Sequence, residues 1–254
     1  MVGGGGMEIQ SIIDDRLEVR FPIGLEETVE YSIVDLLTGH TILTGVPLFK
    51  DSFTTWGKEQ VARLVGYVGY QYPINEVRAR VNGSWATLPS TNSIVNGSLK
   101  VQTDGTFTTP GTYDLIAGGS SLYPGANHNE ISTNIPLESG QGLVLTIYYG
   151  FSGLNMGGNT ITAGRLGGIS GYYPVGTISV DINGLEEKRK SLNAVYNNTL
   201  DVQNLVPYTS PGTYTAFAAV CTDPLGVYYH VFSGHTIVLY SNQELTAHLV
   251  FVYG

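Results

Sequence analysis

The segment YPINEVRARVNG, Tyr72 to Gly83, returns as YPVGTISVDING, Tyr173 to Gly184, at an offset of 101 residues. The offset persists downstream. LKVQ at Leu99–Gln102 matches LDVQ at Leu200–Gln203, and PGTY at Pro110–Tyr113 matches PGTY at Pro211–Tyr214. Each copy then closes on an apolar stretch ending in Tyr-Gly, at Tyr149-Gly150 and Tyr253-Gly254. A register held through strands and turns means that one folding unit occurs twice. That constrains architecture and speaks against an enzyme built around one unique site.

Composition agrees with a sheet protein. Hydrophobic residues make up 42% of the 254, enough for substantial cores, while charged residues are only 13%, about half the usual ~25% share. Tyr, Thr, Val and Gly take their place, as on half-buried pleated surfaces. The net charge of −9 argues against nucleic acid, which demands clustered Lys and Arg. The one basic run, Lys188-Arg189-Lys190, directly follows Glu186-Glu187 and reads as a solvated turn. Cys221 is the single cysteine, so it has no intramolecular disulfide partner and reads as a small buried hydrophobe. No stretch approaches the ~20 apolar residues of a membrane span, no secretion signal is visible, and Met1 to Met7 reads as a flexible glycine arm.

The expected fold class is all-β: tandem antiparallel β-sandwiches, immunoglobulin-like or jelly-roll-like, after a smaller N-terminal β-rich segment. The expected organisation is an N-terminal segment over 1–71, itself a divergent repeat, a first sandwich over 72–150, a Gly-rich linker over 151–172 and a second sandwich over 173–254. Short strands separated by turn signals every 8 to 12 residues carry this reading. Ile9, Ile12, Ile13 and Leu17 have helical spacing, so a helix is expected over Ile9–Glu18. The apolar run Val61–Val68 is expected to be a strand, and Thr160–Thr162 a further short strand within the linker.

No catalytic constellation, cofactor motif or metal-ligand set is found. The five histidines contain no i, i+4 pair, the Gly-rich stretch at 164–168 lacks the Lys of a phosphate loop, and no Gly-x-Ser-x-Gly elbow occurs. The chain is therefore expected not to be an enzyme and to need no cofactor. Trp56, Trp85 and Tyr123, placed in or beside turns, are the candidate contacts for a ligand or partner, because aromatic platforms with polar rims bind sugars and proteins alike. The alternative is that they fill a thin core. Asn82, Asn96 and Asn197 occupy N-glycosylation sequons, and Asn-Gly also serves simply as a hairpin turn.

Low charge, an outward-facing composition and tandem sandwiches together resemble the structural (capsid, vertex or turret) proteins of icosahedral viruses that infect thermophilic archaea. The resemblance covers residues 72–254 as architecture. It implies a virion location, self-association into a homo-oligomer and contacts with other virion proteins, with a host receptor or glycan as a further partner. The alternative is an extracellular or cell-surface adhesin or carbohydrate-binding module.

Overall fold

A computed structural model describes residues 8–13, 16–45, 48–50, 52–222 and 226–254; the N-terminal glycine arm lies outside them. The protein is all-β, with two short helices among the described residues. The N-terminal segment contains β1 (Glu8–Ile13), β2 (Arg16–Asp35), β3 (Thr41–Gly45), β4 (Leu48–Lys50) and α1 (Thr55–Gly66). The first repeat follows as β5 (Glu76–Val81), β6 (Ser84–Val95), β7 (Ser98–Thr103), β8 (Gly111–Ser120), β9 (Tyr123–Asn127), β10 (Ile131–Leu137) and β11 (Gln141–Ser152). After α2 (Met156–Leu166) come β12 (Val175–Ile182), β13 (Leu185–Tyr196), β14 (Thr199–Asn204), β15 (Gly212–Cys221), β16 (Tyr228–Leu239) and β17 (Thr246–Tyr253). The strands join in a large curled mixed sheet.

β2 ties the two repeats together. Its first part, Arg16 to Ile23, runs parallel to Thr246–Tyr253 of β17. Its second part, Gly24 to Asp35, runs antiparallel to Gln141–Ser152 of β11. Leu17, Val19, Phe21, Ile23, Leu25 and Val29 are all buried, a period of two that a single-sided strand requires. The helix expected over Ile9–Glu18 is therefore replaced by β1 and the start of β2, which pair antiparallel from Glu8–Arg20 to Ile13–Arg16. The long period-two register of β2, continued by its pairing with β17, outweighs the short helical spacing.

Two other expectations are corrected. Val61–Val68 falls mostly in α1, where Val61, Ala62, Leu64 and Val65 form the buried face. The stretch expected as a flexible linker contains α2, with Ile161, Thr162, Ala163 and Leu166 buried, and Thr160–Thr162 lies inside that helix. Each helix starts on a side-chain cap, Thr54 Oγ1 accepting from Gly57 N at 2.9 Å and Asn155 Oδ1 accepting from Gly158 N at 2.7 Å. Such caps satisfy orphan donors of the first turn. Thr54 and Asn155 stand 101 residues apart, so the repeat includes the helices.

The helices are exchanged between the repeats. α1, which precedes the first repeat, packs on β12, β13, β14 and β17 of the second, besides touching β9, and α2 packs on β6, β7 and β11 of the first, besides touching β16. The contacts mirror one another at the same offset. Asn92 Nδ2 donates to Ile74 O and Gly167 O, and Asn193 Nδ2 donates to Val175 O and Gly66 O. Leu99 lies against Gly167 as Leu200 lies against Gly66. The two units thus clasp each other about a pseudo-twofold axis running between α1 and α2.

Candidate functional site

Aromatic side chains gather where the N-terminus of α1 meets β9. Trp56 stands at the start of α1, Tyr70 and Tyr72 on the connector after it, and Tyr123 opens β9. The Trp56 ring centre lies 5.5 Å from that of Tyr123 and 6.0 Å from that of Tyr72, with planes inclined by 20° and 25°. Tyr72 and Tyr123 are 5.1 Å apart, and Tyr70 extends the group from Tyr72 at 6.5 Å. Trp56 and Tyr72 are half-buried, whereas Tyr70 is 81% and Tyr123 43% exposed. The result is a surface tile of near-parallel rings.

The tile is anchored by the backbone at 127–128. Thr54 Oγ1 donates to Asn127 O at 2.7 Å, and Thr54 N donates to His128 O at 2.9 Å. His128 lies beneath, its ring edge-on to Trp56 at 4.8 Å. Its Nε2 is 2.7 Å from the Tyr72 carbonyl, which can only accept, so Nε2–H donates. Burial pushes the His128 pKa down to about 4, against a smaller upward pull from the Tyr72 carbonyl.

This carries a pH dependence. Below the unfolded-state value of ~6.5 the unfolded chain takes up a proton that folded His128 refuses until about pH 4, so stability falls as pH drops through that window. Each pH unit costs about 1.4 kcal/mol, giving roughly 3 kcal/mol over the whole descent. His230, also lowered by burial, adds in the same direction. Urea unfolding at pH 7 and pH 4 should show this loss, and His128→Gln should flatten most of it. An unchanged slope in the variant would assign the effect elsewhere.

Beside the tile, the turn from β8 into β9 closes over Arg78. Its Nη1 donates to Pro124 O, Ala126 O and Asn127 Oδ1 at 2.9–3.0 Å, its Nη2 to Ser120 O at 3.1 Å and Tyr123 O at 3.3 Å, and its Nε to Glu76 Oε1 at 2.7 Å. The guanidinium is spent on holding this turn, and so on holding Tyr123. In front of it lies a depression of about 400 Å³ lined by Glu76, Arg78, Trp85, Thr87, Ser121 and Asn127, among others.

The structure therefore brings two of the three expected aromatics, Trp56 and Tyr123, into contact, and sets Trp85, 41% exposed on β6, on the neighbouring depression. Tyr70, Tyr72 and His128 were not anticipated. The signal for Tyr72 was its place at the head of the repeat, matched by Tyr173. The second copy shows what the fold itself requires. Positions equivalent to Trp56 and Trp85 are Gly157 and Glu186, yet the strands and helix form equally well, so these tryptophans are not demanded by the architecture.

Asn82, Asn96 and Asn197 are exposed and take the left-handed conformation, φ 51° to 54°, in hairpin turns. That conformation is one asparagine tolerates, so the turn role is realised at all three. Cys221 is buried. Among the described residues no group of three His, Cys, Asp or Glu side chains is placed to hold a metal, and no helix is long and apolar enough to cross a membrane. No protein family, curated protein or solved structure matches the chain.

Proposed function

We propose that the protein is a virion structural component, of capsid, vertex or turret type, that acts through self-assembly and subunit contacts. The observation that carries this reading is the finger at the end of β2 and β3. Leu37 is 94% exposed, and Leu36, Ile42 and Leu43 are each about half exposed. The finger is held in shape. Asp35 Oδ1 accepts from Leu37 N, Thr38 N and Thr38 Oγ1 at 2.7–3.0 Å, and Leu36 N donates to Gly140 O at 2.9 Å. Those N–H groups, the Thr38 amide first, hold the Asp35 carboxyl below its usual range.

A fixed, projecting cluster of Leu and Ile is costly in water, and each such side chain gains ~1.5–3 kcal/mol on full burial. A neighbouring subunit is the natural cover. The tandem units, read as sandwich-like modules, and the few lysines along the strand edges fit the same reading, because edges left without charge are edges other chains cover. Light scattering with negative-stain imaging tests it. The protein should form a ring or shell of defined symmetry, and Leu37→Asp with Leu43→Asp should weaken association at least tenfold without changing the fold. A clean 27.3 kDa monomer at high concentration would defeat the proposal.

A second reading, a carbohydrate-binding or adhesin module at a cell surface, is favoured by the tile of Trp56, Tyr72 and Tyr123 beside the Trp85 depression. It calls for a monomer whose glycan affinity is lost in Trp56→Ala.

A further inference from the structure

The pseudo-twofold axis passes close to Leu64 and Arg165, equivalent positions that touch each other: Arg165 Nε donates to Leu64 O at 2.9 Å. Arg165 Nη2 donates to Gln71 Oε1 at 2.9 Å, and Nη1 to Tyr172 O at 3.4 Å. Three of its five N–H groups are thus used, all on neutral acceptors, and one remains on each terminal nitrogen. Arg20, Arg63, Arg78, Arg80 and Arg189 each pair with a carboxylate. Among the arginines whose side chains are described, Arg165 is the one with no acidic partner. Burial lowers its pKa, and the titratable groups facing it are Tyr67 and Cys221, not carboxylates. The Leu64 carbonyl at the end of α1 helps to offset the charge, but it occupies only one donor.

The guanidinium lines a cleft of about 410 Å³, together with Gln71, Pro73, Ile169, Tyr172 and Tyr173. One further feature marks this place. Tyr67 ends α1 in the left-handed conformation, φ 54°, which costs a residue with a Cβ about 1 kcal/mol. The equivalent residue after α2 is Gly168, φ 62°, the inexpensive solution. The first copy bears the strain and thereby sets the Tyr67 ring over the Arg165 guanidinium, 5.7 Å from its centre. A ring on the face leaves the edges of the guanidinium open to a ligand approaching in its plane.

We propose that this cleft binds a small organic carboxylate. A planar monoanion needs two N–H donors from one arginine, the number Arg165 has left. A phosphate dianion would call for a second cation, and none lines the cleft. Pro73, Ile169, Tyr172 and Tyr173 offer apolar and aromatic walls to a ring-shaped body, the usual make-up of a small-molecule site. The site lies away from the β2–β3 finger and does not depend on assembly.

Titration calorimetry of the full chain tests it, with glucuronate and benzoate as probes, glucose and benzyl alcohol as their neutral counterparts, and inorganic phosphate as the anion control. Both carboxylates should bind and the neutral pair should not. Glucuronate binding tighter than benzoate would identify an acidic sugar as the source of the carboxylate, and the reverse an aromatic acid. Arg165→Gln should weaken binding at least tenfold. Because that change also removes backbone contacts, Tyr67→Gly is the companion variant: it relieves strain, so Tm should hold or rise while affinity falls severalfold. The proposal is overturned if neither carboxylate binds, if phosphate binds as well as they do, if Arg165→Gln binds like the wild type, or if Tyr67→Gly keeps full affinity.

Discussion

Replacing Gly57 by Ala should destabilise the protein by about 3 kcal/mol, although alanine is the better helix former by ~1 kcal/mol. A Cβ at position 57 would lie 1.9 Å from the carbonyl oxygen of His128, and one at Gly158 would lie 2.3 Å from that of Tyr229. Both obstacles are backbone, so neither can swing aside. Gly57 and Gly158 are equivalent residues, each donating to the N-cap of its helix, and each lets the helix start lie directly on a crossing strand or turn. Gly158→Ala should therefore behave alike. For a chain of this size the loss lowers Tm by roughly 6–12 °C. Gly125→Ala, with no atom within 4 Å of the new Cβ, is the control and should stay within ~0.5 kcal/mol. Calorimetric melting of the three variants decides the matter. A Gly57→Ala protein melting with the wild type would mean that helix and strand do not approach as described.

The same glycines explain why the helices were hard to read. Gly57, Gly66, Gly158, Gly164 and Gly167 sit where neighbouring backbone or side chains press on the helix, so composition over 151–172 suggested a linker while packing demanded small residues. In α1 the apolar cluster Val61, Ala62, Leu64 and Val65 is too short for its period to decide between strand and helix, and its β-branched residues favoured the strand reading. The deciding signal was local, the caps Thr54 and Asn155 at the repeat offset. The strands were more legible, because their alternation and the Asn-Gly turns at 82–83, 96–97 and 183–184 impose register directly. At the aromatic site, Trp56 and Tyr123 were visible as turn aromatics. Their meeting was not, since it depends on Arg78 folding the β8–β9 turn back over itself, a tertiary event with no local signature.

The exchange of helices between repeats makes the second large prediction, and it is directional. Asn92 on β6 donates to Ile74 O at 2.6 Å and Gly167 O at 2.9 Å. Asn193 on β13 donates to Val175 O at 2.7 Å and Gly66 O at 2.9 Å. Each amide thus stitches its own repeat's first strand entry to the C-terminal end of the other repeat's helix. Alanine at either position strands two carbonyls of buried residues and should cost about 2 kcal/mol, the double variant roughly twice that. The location of the damage is the sharper readout. In native-state hydrogen exchange, Asn92→Ala should loosen α2, and Asn193→Ala should loosen α1, 127 residues away in sequence. If instead each substitution released the helix preceding its own repeat, the two units would be independent neighbours rather than a clasped pair. A crosswise pattern would mean that neither repeat holds its full structure without the other. On that outcome the rigid object available for assembly is the whole clasped chain, with the β2–β3 finger projecting from it, and not a string of separable modules.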